Sequence, residues 1–323
     1  AMPWSSSEGA PVADPARHEA AANQPVQAGP PARPNGFPSG HMFGGQFQVL
    51  RLLGKGGMAL VYQVLDLITY EHVALKIIRP DCLTNPMARA CLVNELTLSR
   101  KLRHPEVVAV YDVRRDDLQL YFTMEYIDGT TLLDRLKRHG SMSLPQAIRV
   151  MRSLCSALEH AHETMVHCDV SLENIMIGQD GVKLLDFGIS KALHYDPPWK
   201  SALGKGSHTA PEQRIDALSV DARADIYSLG VVFFELLTKR TIPTPLEGKF
   251  RYPGVSKACC AVVERSVVHL SRRFPTVADF REALDQCLPP DGDMEHTRPA
   301  WPVPAPLHSP AHIVEFPGRS RTT

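Results

Sequence analysis

The sequence has little of what marks a secreted, membrane-spanning or nucleic-acid-binding protein. Its 35 basic and 35 acidic side chains balance, so it lacks the excess of positive charge typical of nucleic-acid-binding proteins. Its seven cysteines include no C-x-x-C pair, which argues against a zinc site or a disulfide framework and favours reduced thiols. The longest apolar run, residues 229–237, is interrupted by Gly230 and Glu235 and is too short to cross a bilayer. We therefore expect a cytoplasmic chain with no transmembrane segment and no nucleic-acid partner.

Hydrophobic residues make up 44% of the 323 residues, which is enough for a sizeable core. Residues 1–45 are rich in Pro, Ala, Gly and Ser and show no hydrophobic period, which predicts a disordered arm. A Pro-rich composition returns in residues 289–323, where we predict a disordered or docking tail. The folded part should therefore lie within residues 46–288.

A glycine-rich stretch, residues 53–59, lies between two segments with β-like alternation, residues 47–52 and 61–65. A dinucleotide-binding glycine motif opens a helix, whereas the residues after these glycines are typical of a strand. The pattern therefore predicts a strand, a glycine turn and a second strand, and it argues against a Rossmann fold.

Polar residues are concentrated in residues 166–188, a stretch bounded by apolar strands. Asp169 and Asn174 lie in its irregular part, and Asp186 follows a short apolar strand that ends at a Phe-Gly turn. Mg²⁺ prefers one or two carboxylates together with phosphate oxygens and water, so Asn174 and Asp186 suit a metal–nucleotide complex. Asp169 would remain available as a base.

The spacing H-x-D-x-x-x-x-N followed by D-F-G is the catalytic signature of protein kinases. The chain resembles the catalytic domain of bacterial eukaryotic-like (Hanks-type) Ser/Thr protein kinases. The resemblance implies an α+β, two-lobed fold with a small β-rich lobe at residues 46–125 and a larger α-helical lobe at residues 129–288. It also implies transfer of the γ-phosphate of ATP to Ser or Thr of protein substrates, with ATP and Mg²⁺ as cofactors and Asp169 as catalytic base.

Lys76, in the strand Val-Ala-Leu-Lys, matches the lysine with which these kinases contact the phosphates. Glu95 falls on the same helical stripe as Met87, Cys91 and Leu98, and a carboxylate on a core-facing stripe needs a cation. We therefore predict that Lys76 and Glu95 form an ion pair.

The resemblance also implies a set of nucleotide-binding residues. Met124 would be the gatekeeper, and Glu125 and Ile127 would offer backbone groups to the adenine. Ala59 replaces the third glycine of the family pattern. The implied nucleotide-binding residues are Leu53, Gly54, Lys55, Gly56, Gly57, Met58, Val61, Ala74, Lys76, Met124, Glu125, Ile127 and Met176.

The larger lobe should be built around two helices. Residues 147–165 carry one apolar face and lead to the irregular segment that holds Asp169 and Asn174, which we call the catalytic loop. Residues 225–237 are apolar on nearly every side, so the helix that they form must be buried. The resemblance implies that Asp225 fastens the catalytic loop and that His167 stacks on Phe187. It also implies that Glu212 pairs with Arg273.

Three residues depart from the family pattern. Cys168 replaces the arginine that grips a phosphorylated activation loop, so we expect activity that does not require phosphorylation of that loop. Ser171 replaces a lysine of the catalytic loop, and Lys205 stands where the family has the threonine that bonds this lysine. The positive charge could have moved from the loop to Lys205. The alternative is a solvated lysine beside a decayed site.

Two other functions remain open at this point. The altered Cys168, Ser171 and Lys205 would suit a nucleotide-binding pseudokinase that acts as a scaffold or allosteric regulator. Alternatively, the Pro-rich ends could bind docking partners, with the kinase fold as a passive platform.

Overall fold

The computed structural model describes residues 36–56, 59–80, 84–116, 119–187, 207–215, 220–243 and 250–288. Within these ranges the strands are β1 (Met42–Phe43), β2 (Phe47–Lys55), β3 (Ala59–Asp66), β4 (His72–Ile78), β5 (Val110–Asp116), β6 (Gln119–Glu125), β7 (Gly129–Thr131), β8 (Ile175–Gly178) and β9 (Gly181–Leu184). The helices are α1 (Pro86–Ser99), α2 (Leu132–His139), α3 (Leu144–Ala161), α4 (Pro211–Ile215), α5 (Arg223–Thr238), α6 (Lys257–Val267) and α7 (Val277–Asp285). Short 3₁₀ turns span Leu172–Asn174 and Leu270–Arg272.

The small lobe is an antiparallel sheet with strand order β1-β2-β3-β4-β6-β5. Strands β2 and β3 are the two arms of the predicted glycine hairpin, with Gly54 opposite Val61. Val61 in turn lies opposite Lys76, and Ala74 lies opposite Met124. The register therefore brings three parts of the sheet side by side. These are the hairpin of β2 and β3, strand β4 with Lys76, and strand β6 with the predicted gatekeeper Met124.

The predicted arm ends earlier than expected. Residues 42–43 already form a strand paired with β2, and Phe43 is buried against Tyr121 with ring centroids 4.7 Å apart. The Phe37 ring makes edge contacts with Phe43 and Tyr62. The boundary at residue 45 was wrong because a few aromatic side chains supply enough apolar surface to order a segment whose average composition is Gly- and Pro-rich.

The buried face of helix α1 is shifted from the predicted stripe, of which Cys91 and Leu98 are only partly buried. Leu92, Glu95, Leu96 and Ser99 are buried, whereas Met87 is 61% exposed. The burial of Glu95 was predicted correctly, but Met87, in the first turn of the helix, is not part of the buried face.

The larger lobe is helical, as predicted. Helix α3 buries one face, and α5 is buried along its length from Ala224 to Leu236. Gly230 allows α5 and α6 to approach closely, since a Cβ atom at this position would lie 2.3 Å from Ser266 Cβ. Among the described helices, none is long and apolar enough to cross a bilayer.

The two lobes meet next to a three-stranded sheet with order β7-β8-β9. Leu184 at the end of β9 exchanges backbone hydrogen bonds with the segment before β5, donating to Glu106 O at 2.8 Å and accepting from Val108 N at 3.0 Å. The residues that follow Leu184 are therefore fixed between the lobes.

Candidate active site

Asp186 lies two residues after β9 and is joined to the small lobe by an ion pair. Its Oδ1 is 2.6 Å from Lys76 Nζ, and the two side chains are 23% and 9% exposed. Asp186 has a φ of 62°, in the left-handed region that costs a non-glycine residue about 1–3 kcal/mol. Backbone strain of this kind is concentrated at functional sites, and here the turn is associated with a carboxylate directed at the lysine of β4.

The ion pair predicted between Lys76 and Glu95 is not the one observed. Among the ion pairs of the described residues, Lys76 has one with Asp186 and none with Glu95. The helical pattern correctly predicted that Glu95 is buried, but it could not predict which acidic residue contacts Lys76. Helix α1 instead contacts the residue after Asp186 through Ser99, whose Oγ donates to Phe187 O at 3.1 Å.

Asn174 is held against Asp169 in the catalytic loop. Its Nδ2 group donates to Asp169 O at 2.9 Å and to Asp169 Oδ2 at 2.7 Å. The backbone carbonyl of Asn174 accepts from Leu185 N at 2.8 Å. This hydrogen bond places the loop directly beside the residue before Asp186. The structure therefore brings together Asp169, Asn174 and Asp186, the three residues singled out by spacing.

The donor set fits a magnesium ion. Both side-chain hydrogen bonds of Asn174 use its Nδ2 group, so its Oδ1 can serve as a metal ligand together with the Asp186 carboxylate. The described part of the chain holds no cluster of three or more His, Cys, Asp or Glu side chains placed to bind a metal. This is compatible with Mg²⁺, which takes one or two protein ligands and completes its shell with phosphate oxygens and water.

Asp225 holds the catalytic loop through hydrogen bonds to the backbone of that loop. This fully buried carboxylate accepts from Cys168 N at 2.7 Å and from His167 N at 2.8 Å, and its Oδ2 is hydrogen-bonded to His162 Nε2 at 2.8 Å. Burial alone would raise the pKa of Asp225, but the hydrogen bond and charge of His162, with further contributions from His167, lower it below its usual value. The role implied for Asp225 is present in the structure.

The predicted contact between His167 and Phe187 is also present, as an edge-on packing with ring centroids 4.4 Å apart and planes at 61°. His167 Nδ1 accepts from Asp169 N at 3.1 Å, so Nε2 carries the proton and donates to Leu185 O at 2.8 Å. His167 thus links the loop with the Asp-Phe-Gly turn and has a structural role.

A family model for the protein kinase domain matches residues 47–288. The chain belongs to the protein kinase family. Kinase relatives include the serine/threonine-protein kinase PrkC of Bacillus subtilis, 36% identical over 253 residues, which cover 77% of this chain and 37% of PrkC. The serine/threonine-protein kinase PknB of Mycobacterium tuberculosis is 33% identical over 266 residues, which cover 74% of this chain and 42% of PknB.

The crystal structure of a C20A mutant of the Mycobacterium tuberculosis PknI kinase domain has the same fold, with a TM-score of 0.66 at 24% identity. The matched region covers 78% of this chain and 98% of that kinase domain. The chain spans only about two fifths of the length of PrkC and PknB. The names of these relatives give no support to the pseudokinase alternative.

Most of the nucleotide-binding residues implied by the resemblance lie on strands of the small lobe, whereas Met176 is on β8 of the second sheet, and Gly56 and Ile127 lie outside the strands. Leu53, Gly54 and Lys55 are in β2, Val61 is in β3, Ala74 and Lys76 are in β4, Met124 and Glu125 end β6, and Met176 is in β8. The backbone N–H of Glu125 donates to Ala109 O at 2.9 Å, so any adenine contact of that residue falls to its carbonyl. Gly57, Met58 and Lys205 lie outside the described residues.

The kinase fold contains a second anchor at α4, as the resemblance implied. Arg273 Nη2 donates to Glu212 Oε2 at 2.9 Å, and Nη1 bonds the other oxygen of the same carboxylate. Arg273 also donates to Val268 O at 3.0 Å and to Arg223 O at 3.0 Å. A guanidinium with this many partners, and only 3% exposed, fixes the segment that carries Glu212.

Two contacts in this kinase were missed by the sequence analysis. Lys183 Nζ lies 2.7 Å from Glu125 Oε1, an ion pair that joins β9 to the end of β6. Gln213 is 3% exposed and bonds both Ala210 and Cys168. A lysine in an apolar strand was a usable signal for the first contact, but nothing in the sequence alone relates Gln213 to Cys168, 45 positions away.

Proposed function

We propose that this kinase domain transfers the γ-phosphate of ATP to serine or threonine hydroxyl groups of proteins. The convergence of Lys76, Asn174 and Asp186 beside Asp169 carries the proposal. Phosphoryl transfer requires mainly positioning and stabilisation of charge, and these side chains supply both. The preference for Ser and Thr over Tyr is inferred from the names of PrkC and PknB.

Each residue has a separate part in the proposed mechanism. Asp169 orients the substrate hydroxyl and takes up its proton as the hydroxyl oxygen bonds to phosphorus and the bond to the ADP leaving group breaks. Asn174 holds Asp169 Oδ2, which leaves the other carboxylate oxygen to face the hydroxyl. Lys76 would contact the phosphates, and Asn174 and Asp186 would hold Mg²⁺. When bound, the metal neutralises charge on the β- and γ-phosphate oxygens.

We also propose that the positive charge missing at Ser171 is provided by Lys205. Ser171 is fully buried in the catalytic loop, and such a short side chain cannot replace the reach of a lysine. In this proposal Lys205 contacts the γ-phosphate and bonds Ser171. Loss of one charge-stabilising donor usually lowers the rate about 100- to 1,000-fold, so an uncompensated site would be slow rather than inactive.

We also propose domain limits, a location and docking partners for this chain. We propose that the kinase domain extends to residue 288 and that its two lobes divide between residues 125 and 129, and we assign docking partners to the Pro-rich residues before β1 and to residues 289–323. We propose a cytoplasmic location because the cysteine pattern suits reduced thiols, and no disulfide joins the six described cysteines.

The test is incorporation of labelled phosphate from ATP into a protein substrate in the presence of Mg²⁺. We expect transfer by the parent protein, loss of transfer in Asp169→Asn, and parental transfer in the control Asp180→Asn, which changes an exposed acid in the β8–β9 turn. Hydrolysis of the product should yield phosphoserine or phosphothreonine. Equal transfer by the parent and Asp169→Asn would refute the role of Asp169, and phosphotyrosine alone would refute the Ser/Thr assignment.

Lys205→Ala, with Lys101→Ala as the exposed control, tests the relocated charge in the same assay. We expect Lys205→Ala to lose transfer about 100-fold or more, whereas Lys101→Ala keeps the parental rate. Parental activity in Lys205→Ala would refute the relocation without affecting the kinase assignment.

A further inference from the structure

The catalytic loop makes an unusual turn at Cys168, immediately before Asp169. Cys168 has a φ of 65°, in the left-handed region that few residues with a Cβ atom adopt. Its N–H donates to Asp225 Oδ1 at 2.7 Å, and its carbonyl accepts from Gln213 Nε2 at 2.8 Å. The carbonyl of Cys168 belongs to the peptide group that begins Asp169. The two hydrogen bonds therefore hold the backbone on both sides of the turn.

Gln213 makes two hydrogen bonds of opposite sense. Its Nε2 donates to Cys168 O, while its Oε1 accepts from Ala210 N at 3.0 Å. Because one partner accepts and the other donates, only one orientation of the amide satisfies both. The side chain is 3% exposed, so water has little access to replace either partner.

Gln213 projects from a segment that is itself fixed. It belongs to α4, whose neighbouring residue Glu212 is bound by the buried Arg273. Asp225, on the other side of Cys168, lies in α5. The placement of α4 is thus transmitted to the catalytic loop by a neutral side chain and a backbone carbonyl.

We propose that Gln213 is a positioning residue for Asp169 and that it couples α4 to the catalytic loop without a phosphate. This inference rests on the proposed kinase activity. It gives a physical basis for activity without loop phosphorylation, because the coupling uses the backbone carbonyl of Cys168 and needs no arginine side chain at that position.

The test compares Gln213→Glu and Gln213→Met with the control Gln286→Glu, which alters an exposed glutamine at the end of α7. At about pH 8 the new carboxylate in Gln213→Glu has no proton for Cys168 O, and the methionine of Gln213→Met has no donor at any pH. We expect kcat to fall about 100-fold in both variants, the loss typical of a misplaced reacting group. The KM for ATP should stay within about twofold, because ground-state binding is not changed.

A pH series separates positioning from a general structural defect. Burial favours the protonated form of a carboxyl group, and a protonated carboxyl can donate to Cys168 O while accepting from Ala210 N. We therefore expect the ratio of Gln213→Glu to parent kcat to rise about tenfold between about pH 8 and about pH 5.5. The ratio for Gln213→Met should not change. Parental kcat in Gln213→Glu at the higher pH, or a ratio independent of pH, would overturn the proposal.

Hydrogen exchange distinguishes failure of this inference from failure of the proposed function. If the parent transfers no phosphate, the kinase activity is refuted, and the coupling is judged from the amides of residues 167–171. We expect these amides to exchange about tenfold faster in Gln213→Met than in the parent and at the parental rate in Gln286→Glu. Equal exchange in Gln213→Met and the parent would overturn the role of Gln213.

Discussion

Lys76 Nζ and Asp186 Oδ1 lie 2.6 Å apart, although one residue is in β4 of the small lobe and the other follows β9 of the larger lobe. The contact places the ammonium group of Lys76 directly beside the Asp186 carboxylate, which is a candidate magnesium ligand. If Asp186 holds a metal ion, a lysine at this distance is close enough to contact phosphates beside that ion. We therefore expect the nucleotide phosphates beside this contact.

The first prediction concerns Lys76→Met. We expect at least a 100- to 1,000-fold loss of phosphate transfer, because one stabilising charge is removed from the site of phosphate binding. The exposed Lys101→Met is the matched control and should keep the parental rate. Initial rates at saturating substrate are measured for all three proteins. A rate of Lys76→Met within about threefold of the parent would show that this lysine does not act on the phosphates.

The second prediction concerns the metal. Asn174→Ala removes one candidate ligand and the group that holds Asp169, so we expect a higher Mg²⁺ concentration for half-maximal activity and a lower maximal rate. Asn94→Ala changes an exposed asparagine on α1 and should alter neither quantity. The measurement is a Mg²⁺ titration of the initial rate. Chelation of the metal should abolish transfer in every variant, and a parental titration curve in Asn174→Ala would contradict its assignment.

The sequence was sufficient for the site wherever motif spacing determines local geometry. Asp169, Asn174 and Asp186 were placed together because the loop and the strand that carry them are only a few residues apart along the chain. The buried helix around residues 225–237 followed from its apolar character on every side, and the strand assignment after the glycines followed from alternation.

The sequence was insufficient wherever a contact joins distant segments. Glu95 was correctly predicted to be buried. The partner of Lys76, however, depends on how the residues after β9 lie between the two lobes, and the apolar pattern of a helix cannot predict this. Phe43 was missed because an average over 45 residues hides two or three aromatic side chains. Gln213 is a common surface residue type, and its burial here follows from tertiary packing alone.

The third prediction concerns phosphorylation of the residues between Phe187 and α4, where kinases of this family carry the activation loop. Cys168 offers no guanidinium to a loop phosphate, and its carbonyl is already engaged by Gln213. We therefore expect a variant with non-phosphorylatable residues at five positions to keep activity within about threefold of the parent. The five positions are Ser190, Tyr195, Ser201, Ser207 and Thr209. Loss of activity in this variant, with recovery by acidic substitutions, would show that phosphorylation is required.

The fourth prediction concerns the pH dependence of stability through Asp225. Its pKa in the folded protein is below the usual value of 3.8, so its stabilisation is complete above that value and is lost as the pH falls through the lower, folded-state pKa. We expect Asp225→Asn to reduce the free energy of unfolding by about 3 kcal/mol near neutral pH, because buried donors then lose a charged acceptor. The difference from the parent should shrink below about pH 4.

Denaturant unfolding at several pH values measures this difference. Asp221→Asn is the control, because Asp221 is a half-exposed carboxylate paired with Arg223, and its loss should cost less than about 1 kcal/mol. A difference between Asp225→Asn and the parent that stays constant down to about pH 3 would contradict the assignment of a charged, hydrogen-bonded Asp225.

The fifth prediction concerns Arg273, whose guanidinium is almost fully buried and bonds both oxygens of Glu212. Arg273→Met keeps much of the side-chain volume but leaves the Glu212 carboxylate without its cation, so we expect the free energy of unfolding to fall by about 3–5 kcal/mol. Arg273→Lys keeps the charge but cannot bond both oxygens in the same geometry. Its free energy of unfolding should therefore lie between those of Arg273→Met and the parent. The neighbouring Arg272→Met, at an exposed position, should change stability by less than about 0.5 kcal/mol. Denaturant unfolding decides the order, and equal stability of Arg273→Met and Arg272→Met would show that the pair with Glu212 does not stabilise the larger lobe.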